Sequence, residues 1–314
     1  MTLQRASDEW LYGYVSDAVL TEYESRPEFS VHPESGGVSY GGWWATSYTH
    51  RIGRGHIRVE LKKLYEGCPP HVIAHWHRFA VAEGVAEHDR TDHGDRNVAV
   101  RAKELIHSFL RVTEVLGDLS DRLTAGFAQD EIGTLATEDV EYTGWWTPEV
   151  MKSITAVIPL TATQDQFLGR AVALFKLLEL LKPAPLRNLL LQLGIPREQI
   201  KDFAALKLLA TLCQLHLLAV EHGHDLVDDS APVVALWDAT RRLPALKRVF
   251  ALNALRVLAA HVPGDEKSRK ITDAVAAFGV DVGATATGWG YAMDALYDGL
   301  IADLNAVADI LMSA

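Results

Sequence analysis

The alternation of apolar and polar residues differs between the N-terminal part of the chain and the remainder. Residues 56–62 alternate polar and apolar with a period of two, which is typical of a half-buried strand. Residues 51–55 precede them and include two glycines, which favour a hairpin turn because glycine accepts positive φ angles. Residues 28–65 are therefore predicted to form a small antiparallel sheet of two or three strands.

Helical spacing of apolar residues dominates the rest of the chain. Thr163 is a predicted N-cap because a threonine before an apolar-periodic segment accepts hydrogen bonds from the first turn. The last helix is expected to begin near Trp289. Further expectations are a helix from residue 8 to about 21, a helix from Pro69-Pro70 to about residue 81, a polar loop over 83–95, and a long helix over 96–124.

These patterns predict an α+β protein that is predominantly α. A small N-terminal antiparallel β-sheet with helices is expected first, followed by a C-terminal helical bundle. The predicted domains are an N-terminal α+β domain over residues 1–144 and a C-terminal helical domain over residues 145–314, which suits a chain of 314 residues.

Charge and cysteine content narrow the classes of function. The formal net charge is −11, which disfavours non-specific binding to nucleic acid. The two cysteines, Cys68 and Cys213, lie far apart and indicate neither a disulfide framework nor a thiolate metal site. No signal peptide is visible, and the apolar stretch 203–220 contains polar residues. We therefore expect a cytoplasmic protein with no membrane association.

His71 and His75 form the first candidate site. They are four residues apart on a predicted helix, so they share one face and could bind a metal together. A third ligand would come from His88, Asp89, Asp92 or His93. However, valine, isoleucine and alanine separate the two histidines, where zinc hydrolases usually place a catalytic glutamate. A metal-dependent hydrolase is therefore an alternative hypothesis, and the preferred one requires no metal and no cofactor.

Asn253, Arg256 and His261 form the second candidate site. On a helix they fall within a sector of about 140°, while their neighbours are mostly Leu, Val and Ala. Because an unpaired guanidinium is costly to bury, this sector must face solvent, a partner or a polar cleft. The apolar neighbours predict that the rest of this helix is enclosed.

Arg256 and His261, with four residues between them near the end of a helix, resemble the signature of the HEPN superfamily. The resemblance covers the helical half of the chain. It implies a helical domain whose catalytic members are commonly dimers that act on RNA. It further implies that His261 is the general acid/base, that Arg256 stabilises charge on the phosphate, and that no metal takes part.

The expected function is thus a HEPN-like protein, a metal-independent endoribonuclease of a toxin or antiviral defence system. RNA and a protein partner or second copy of the chain are the expected partners. The first alternative is a non-catalytic helical interaction module that docks a partner through its aromatic N-terminal portion, which includes Trp43-Trp44. The second is the metal-dependent hydrolase built on His71 and His75.

Overall fold

The computed structural model describes residues 11–261 and 265–313, except for the side chains of residues 261 and 265–267. Helices make up 63% of it and strands 8%, with a small antiparallel sheet near the N-terminus followed by a helical region. This confirms the predicted α+β class, predominantly α.

The described chain divides into two compact units. The N-terminal unit contains the described residues up to Ala102 together with Lys152–Ala162. The helical unit contains Lys103–Met151 and the described residues from Thr163 onward. The predicted boundary after residue 144 separates domains that fold independently, which is a different property from compactness. That boundary stays a prediction.

Seven strands are present among the described residues of the N-terminal unit. They are β1 (Tyr12–Ser16), β2 (Ser30–His32), β3 (Gly37–Tyr40), β4 (Trp44–Ala45), β5 (Thr49–Ile52), β6 (His56–Glu60) and β7 (Ala80–Val81). One antiparallel sheet has the order β5-β6-β1-β7 and a second has the order β2-β3-β4. The predicted hairpin is β5–β6, but there are more strands than the two or three expected.

The helices follow the predicted order, with most of them after residue 97. They are α1 (Thr21–Glu24), α2 (Leu61–Gly67), α3 (Pro70–Arg78), α4 (Glu83–His93), α5 (Val98–Arg122), α6 (Gln129–Gly133), α7 (Thr137–Thr143), α8 (Glu149–Ile154), α9 (Gln164–Leu178), α10 (Pro183–Gln192), α11 (Arg197–Ile200), α12 (Ala205–His222), α13 (Ser230–Ala235), α14 (Lys247–His261), α15 (Asp265–Ala276) and α16 (Gly290–Met312).

Two local predictions were wrong. The segment expected to be a helix from residue 8 contains β1 instead, which pairs with β6 more than 40 residues later in the sequence. The segment expected to be a polar loop is helix α4, of which only Ala86 is buried. In both cases contacts distant in sequence decide the local structure.

Asp89 explains why the polar helix α4 forms where it does. Its Oδ2 accepts hydrogen bonds from the N–H groups of Arg54 and Gly55 at 2.9 and 3.0 Å, and from Nδ1 of His56 at 2.8 Å. Burial alone would raise the pKa of Asp89, but these hydrogen bonds from Gly55, His56 and Arg54 together lower it. The carboxylate of Asp89 therefore holds α4 against the turn of the β5–β6 hairpin through hydrogen bonds.

The core of the N-terminal unit lies on one face of the larger sheet. Ile57 and Val59 of β6 project into it, as the alternation of that strand predicts. Trp76 of α3 and Val157, from the later segment of the unit, complete the cluster. The opposite face of β6 carries polar side chains.

The helical unit is built around α14 and its neighbours. This helix packs against α9, α15 and α16. Phe167 and Tyr297 are fully buried there, and Arg170 donates a hydrogen bond of 2.7 Å to the hydroxyl of Tyr297. The unit therefore has its own core, with α14 carrying the predicted site residues.

Candidate functional site

Helix α14 is anchored at its N-terminus by Asp303 of α16. The Oδ2 atom of Asp303 accepts hydrogen bonds from the N–H groups of Arg248 and Val249 at 2.8 and 3.3 Å. Its Oδ1 accepts a third from Nη1 of Arg248 at 2.7 Å. Burial raises the pKa of Asp303, and the hydrogen bonds from Arg248 offset this only in part. The first turn of α14 is therefore fixed by a buried carboxyl group.

Arg256 is half exposed and already has partners. Its Nη2 lies 3.0 Å from Oε1 of Glu179, just after α9, and its guanidinium carbon lies 4.8 Å from the ring centre of Phe175. The guanidinium is therefore stacked on a ring and bound at one edge by a carboxylate. A phosphate could reach Arg256 from solvent but would compete with Glu179.

Asn253 and His261 lie on the same helix as Arg256. Asn253 is half-buried one turn before it. His261 is the last helical residue, and its side chain lies outside the described part of the chain. Five residues of helix rotate the backbone by about 500°, so the α-carbons of Arg256 and His261 point about 140° apart. The catalytic pairing of these residues stays a prediction.

An exposed apolar stripe on α14 was missed by sequence reasoning. Phe250 and Val257 are 41% and 44% exposed, and Ala254 between them is exposed as well. These three residues lie within about 60° around the helix, and we refer to them as the α14 face. The expectation that α14 is enclosed except for its polar sector is wrong, because apolar residues surround this helix on more sides than the core can cover.

His71 and His75 do not form a shared site. His71 is exposed, whereas His75 is buried and uses both ring nitrogens within the protein. Its Nε2–H donates to the carbonyl of Val19 at 3.0 Å, and its Nδ1 accepts from Arg78 at 2.8 Å. Because both nitrogens are engaged, the geometry of His75 disfavours the metal hypothesis. Among the described residues no group of three or more His, Cys, Asp or Glu side chains could hold a metal ion.

The aromatic pair in the N-terminal unit divides between the core and solvent. Trp44 packs against the rings of Tyr40, Phe29 and Tyr23, with centroid distances of 5.8 to 6.2 Å. Trp43 is 85% exposed at the turn between β3 and β4. One of the two tryptophans is thus structural, and the other is an exposed aromatic side chain.

No family model matches the chain, and neither a curated protein nor a solved structure is significantly similar to it. The described helices are all too short or too polar to cross a bilayer.

Proposed function

We propose that the helical unit is a HEPN-like interaction domain that associates with a second copy of itself through the α14 face. The observation that carries this proposal is the exposure of Phe250 and Val257 on one stripe of a well-anchored helix. Apolar stripes of this spacing are the usual means by which one helix docks against another.

Charge on the surface beside the stripe favours a second copy as the partner. Arg256 and Glu179 are 44% and 46% exposed and lie next to each other. A two-fold axis places the same patch of both subunits face to face, so each Arg256 can approach the partner's Glu179. The HEPN resemblance independently implies a dimer.

Light scattering of the full chain tests this proposal. We expect a dimer at micromolar concentration, and we expect Val257→Asp to weaken association by about tenfold or more because it places an unpaired charge in the interface. Val220→Asp is the matched control, since Val220 is an exposed apolar residue elsewhere on the helical unit, at 51%. A monomeric wild type, or equal weakening by both variants, would contradict the proposal.

A second candidate function, the metal-independent endoribonuclease, is favoured by the exposed guanidinium of Arg256. In a helix, the α-carbon of His261 lies about 20° from that of Phe250, within the sector of the α14 face. Association through this face brings the two copies of His261 to the interface, where RNA could meet both Arg256 and His261. His261 would then move the proton of a ribose 2′-hydroxyl and Arg256 would stabilise the phosphate.

RNA incubated with the protein in the presence of EDTA tests this candidate. Cleavage should persist with the chelator and fall by about 100-fold in His261→Ala and in Arg256→Ala. Arg241→Ala is the control, because Arg241 is exposed in the same unit and lies outside α14. If the protein is a stable dimer but leaves RNA intact, the result supports the interaction domain and contradicts the nuclease proposal.

A further inference from the structure

The N-terminal unit contains a cavity unrelated to the α14 face. It has a volume of about 360 Å³ and lies on the polar side of the larger sheet, near the start of β1 and the end of β6. Its lining consists of Tyr12, Tyr48, Thr49, His50, Arg58 and Glu60. Its volume falls within the range of small-molecule sites.

Glu60 is the unusual member of this lining. It is only 3% exposed, and its Oε2 atom is buried without a hydrogen-bond partner. Although Glu60 immediately precedes α2, its side chain does not cap that helix. A buried carboxyl oxygen without a donor is costly to the folded protein. A ligand that supplies a donor at this position would remove that cost.

Arg58 places an opposite charge on the same cavity. It lies two residues before Glu60 on β6, and therefore on the same face of the sheet. Its guanidinium carbon lies 4.6 Å from the ring centre of Tyr12. Within the described part of the chain, Arg58 forms no ion pair with a carboxylate, and this includes Glu60. The cavity therefore presents a cation and a buried carboxyl group that do not neutralise each other.

Tyr48 supplies an exposed aromatic wall. Its side chain is 66% exposed, and its backbone adopts a left-handed conformation with φ of 56°, which is uncommon for a bulky residue. The carbonyl of Tyr48 accepts a hydrogen bond of 3.3 Å from the N–H of Glu60, which ties the two residues together. This strained position holds a flat ring in the cavity lining, and the Nζ of Lys63 lies 5.6 Å from the centre of that ring.

We propose that this cavity binds a free α-amino acid with a flat aromatic side chain. The ammonium group donates to the carboxyl group of Glu60, and the adjacent carboxylate accepts from the guanidinium of Arg58. The side-chain ring stacks on Tyr48. A zwitterion suits this lining because it carries both charges, and Arg58 and Glu60 lie two residues apart on the same face of β6. The site is independent of the self-association proposed above.

Calorimetric titration of the full chain with L-tryptophan and L-phenylalanine tests the proposal. We expect saturable binding of at least one of them to the wild type. Tryptamine lacks the carboxylate and indole-3-propionate lacks the ammonium group, so each should bind about tenfold weaker than L-tryptophan or worse. Guanosine monophosphate also combines N–H donors with an anion and represents a different class of ligand. We expect that it does not bind.

Variants locate the binding site. Glu60→Gln and Arg58→Gln should each weaken binding of the amino acid by about tenfold or more. Trp43→Ala is the control, because Trp43 is exposed in the same unit and is absent from the cavity lining. Glu60→Gln should not lower the thermal midpoint, since the Oε2 atom of Glu60 has no hydrogen bond to lose. Tyr48→Gly, which relieves the left-handed strain, should also fold and bind weakly.

Several results would overturn the inference. The first is the absence of binding by the wild type at millimolar amino acid. The second is an affinity for tryptamine equal to that for L-tryptophan. The third is undiminished binding of the amino acid by both single variants, Glu60→Gln and Tyr48→Gly. Binding of guanosine monophosphate in place of the amino acids would assign the cavity to a different class of ligand.

Discussion

At the scale of single residues, His216 is a buried base held in its neutral form. It is fully buried in α12, and its Nδ1–H donates to the carbonyl of Leu212 at 3.0 Å. Its Nε2 is buried without a hydrogen-bond partner. Burial lowers the pKa of His216, outweighing the opposing effect of the hydrogen bond to Leu212.

This lowered pKa makes the stability of the helical unit depend on pH. In the unfolded chain the histidine protonates near its usual pKa of about 6.5, whereas in the folded protein it stays neutral to lower pH. The stabilising contribution is complete above about pH 6.5 and is lost as the pH falls toward the folded-state pKa. We predict that lowering the pH from about 7.5 to about 5 lowers the free energy of unfolding of the helical unit through this residue.

Denaturant unfolding at the two pH values measures the effect. His216→Leu should reduce the loss of stability, because leucine does not titrate. His222→Leu should leave the loss unchanged, since His222 is exposed near the end of the same helix. If both variants lose as much stability as the wild type, His216 is not the source of the dependence.

At the scale of secondary-structure elements, the anchoring of α14 by Asp303 gives a second prediction. Asp303→Ala removes the acceptor for two N–H groups in the first turn of α14 and should lower the free energy of unfolding by about 2 kcal/mol. Asp309→Ala is the matched control on α16. Asp309 pairs with Arg111 at 2.7 Å but is 64% exposed, so its loss should cost about 0.5 kcal/mol or less. Equal losses in chemical denaturation would show that the cap contributes nothing specific.

Elements specified by neighbouring residues were predictable from the sequence. The N-cap at Thr163 is one: its hydroxyl accepts from the N–H of Gln166 at 3.3 Å, and the Gln166 side chain accepts from the N–H of Thr163 at 2.8 Å. The start of α16 after Trp289 is another, because its apolar stripe continues for many turns. Both signals lie within a few residues, so no knowledge of the fold is needed to detect them.

Features that depend on distant residues were not predictable in this way. The partner of Arg256 is Glu179, which precedes it by 77 residues, so the sequence motif alone gives no sign of the ion pair. The helix α4 depends on the hydrogen bonds that Asp89 accepts from a hairpin turn.

The exposed α14 face, in contrast, could have been predicted from a local signal, since Phe250 and Val257 belong to a helix that is apolar on nearly every side.

At the scale of the whole molecule, the N-terminal unit depends on a segment that arrives late in the chain. Val157 is 7% exposed in its core, and the Val157 N–H donates to the carboxylate of Glu24 at about 3 Å. Val157→Asp should therefore lower the free energy of unfolding by about 3 kcal/mol or more, because it buries a charge in an apolar cluster.

Leu160→Asp is the control for this prediction. Leu160 belongs to the same segment but is 45% exposed, so an aspartate there remains in water. Equal stability of the two variants in chemical denaturation would mean that the segment does not contribute to the core of the N-terminal unit.

The discontinuity of the N-terminal unit has a consequence for biosynthesis. Translation delivers the residues up to 102 first, then 49 residues that belong to the other unit, and only afterwards the segment that ends at Ala162. Because domains fold as they leave the ribosome, a nascent chain halted before residue 152 holds an unfinished core whose apolar surface stays open to chaperones or to aggregation. Maturation of the first part of this protein must therefore wait for the synthesis of half the chain.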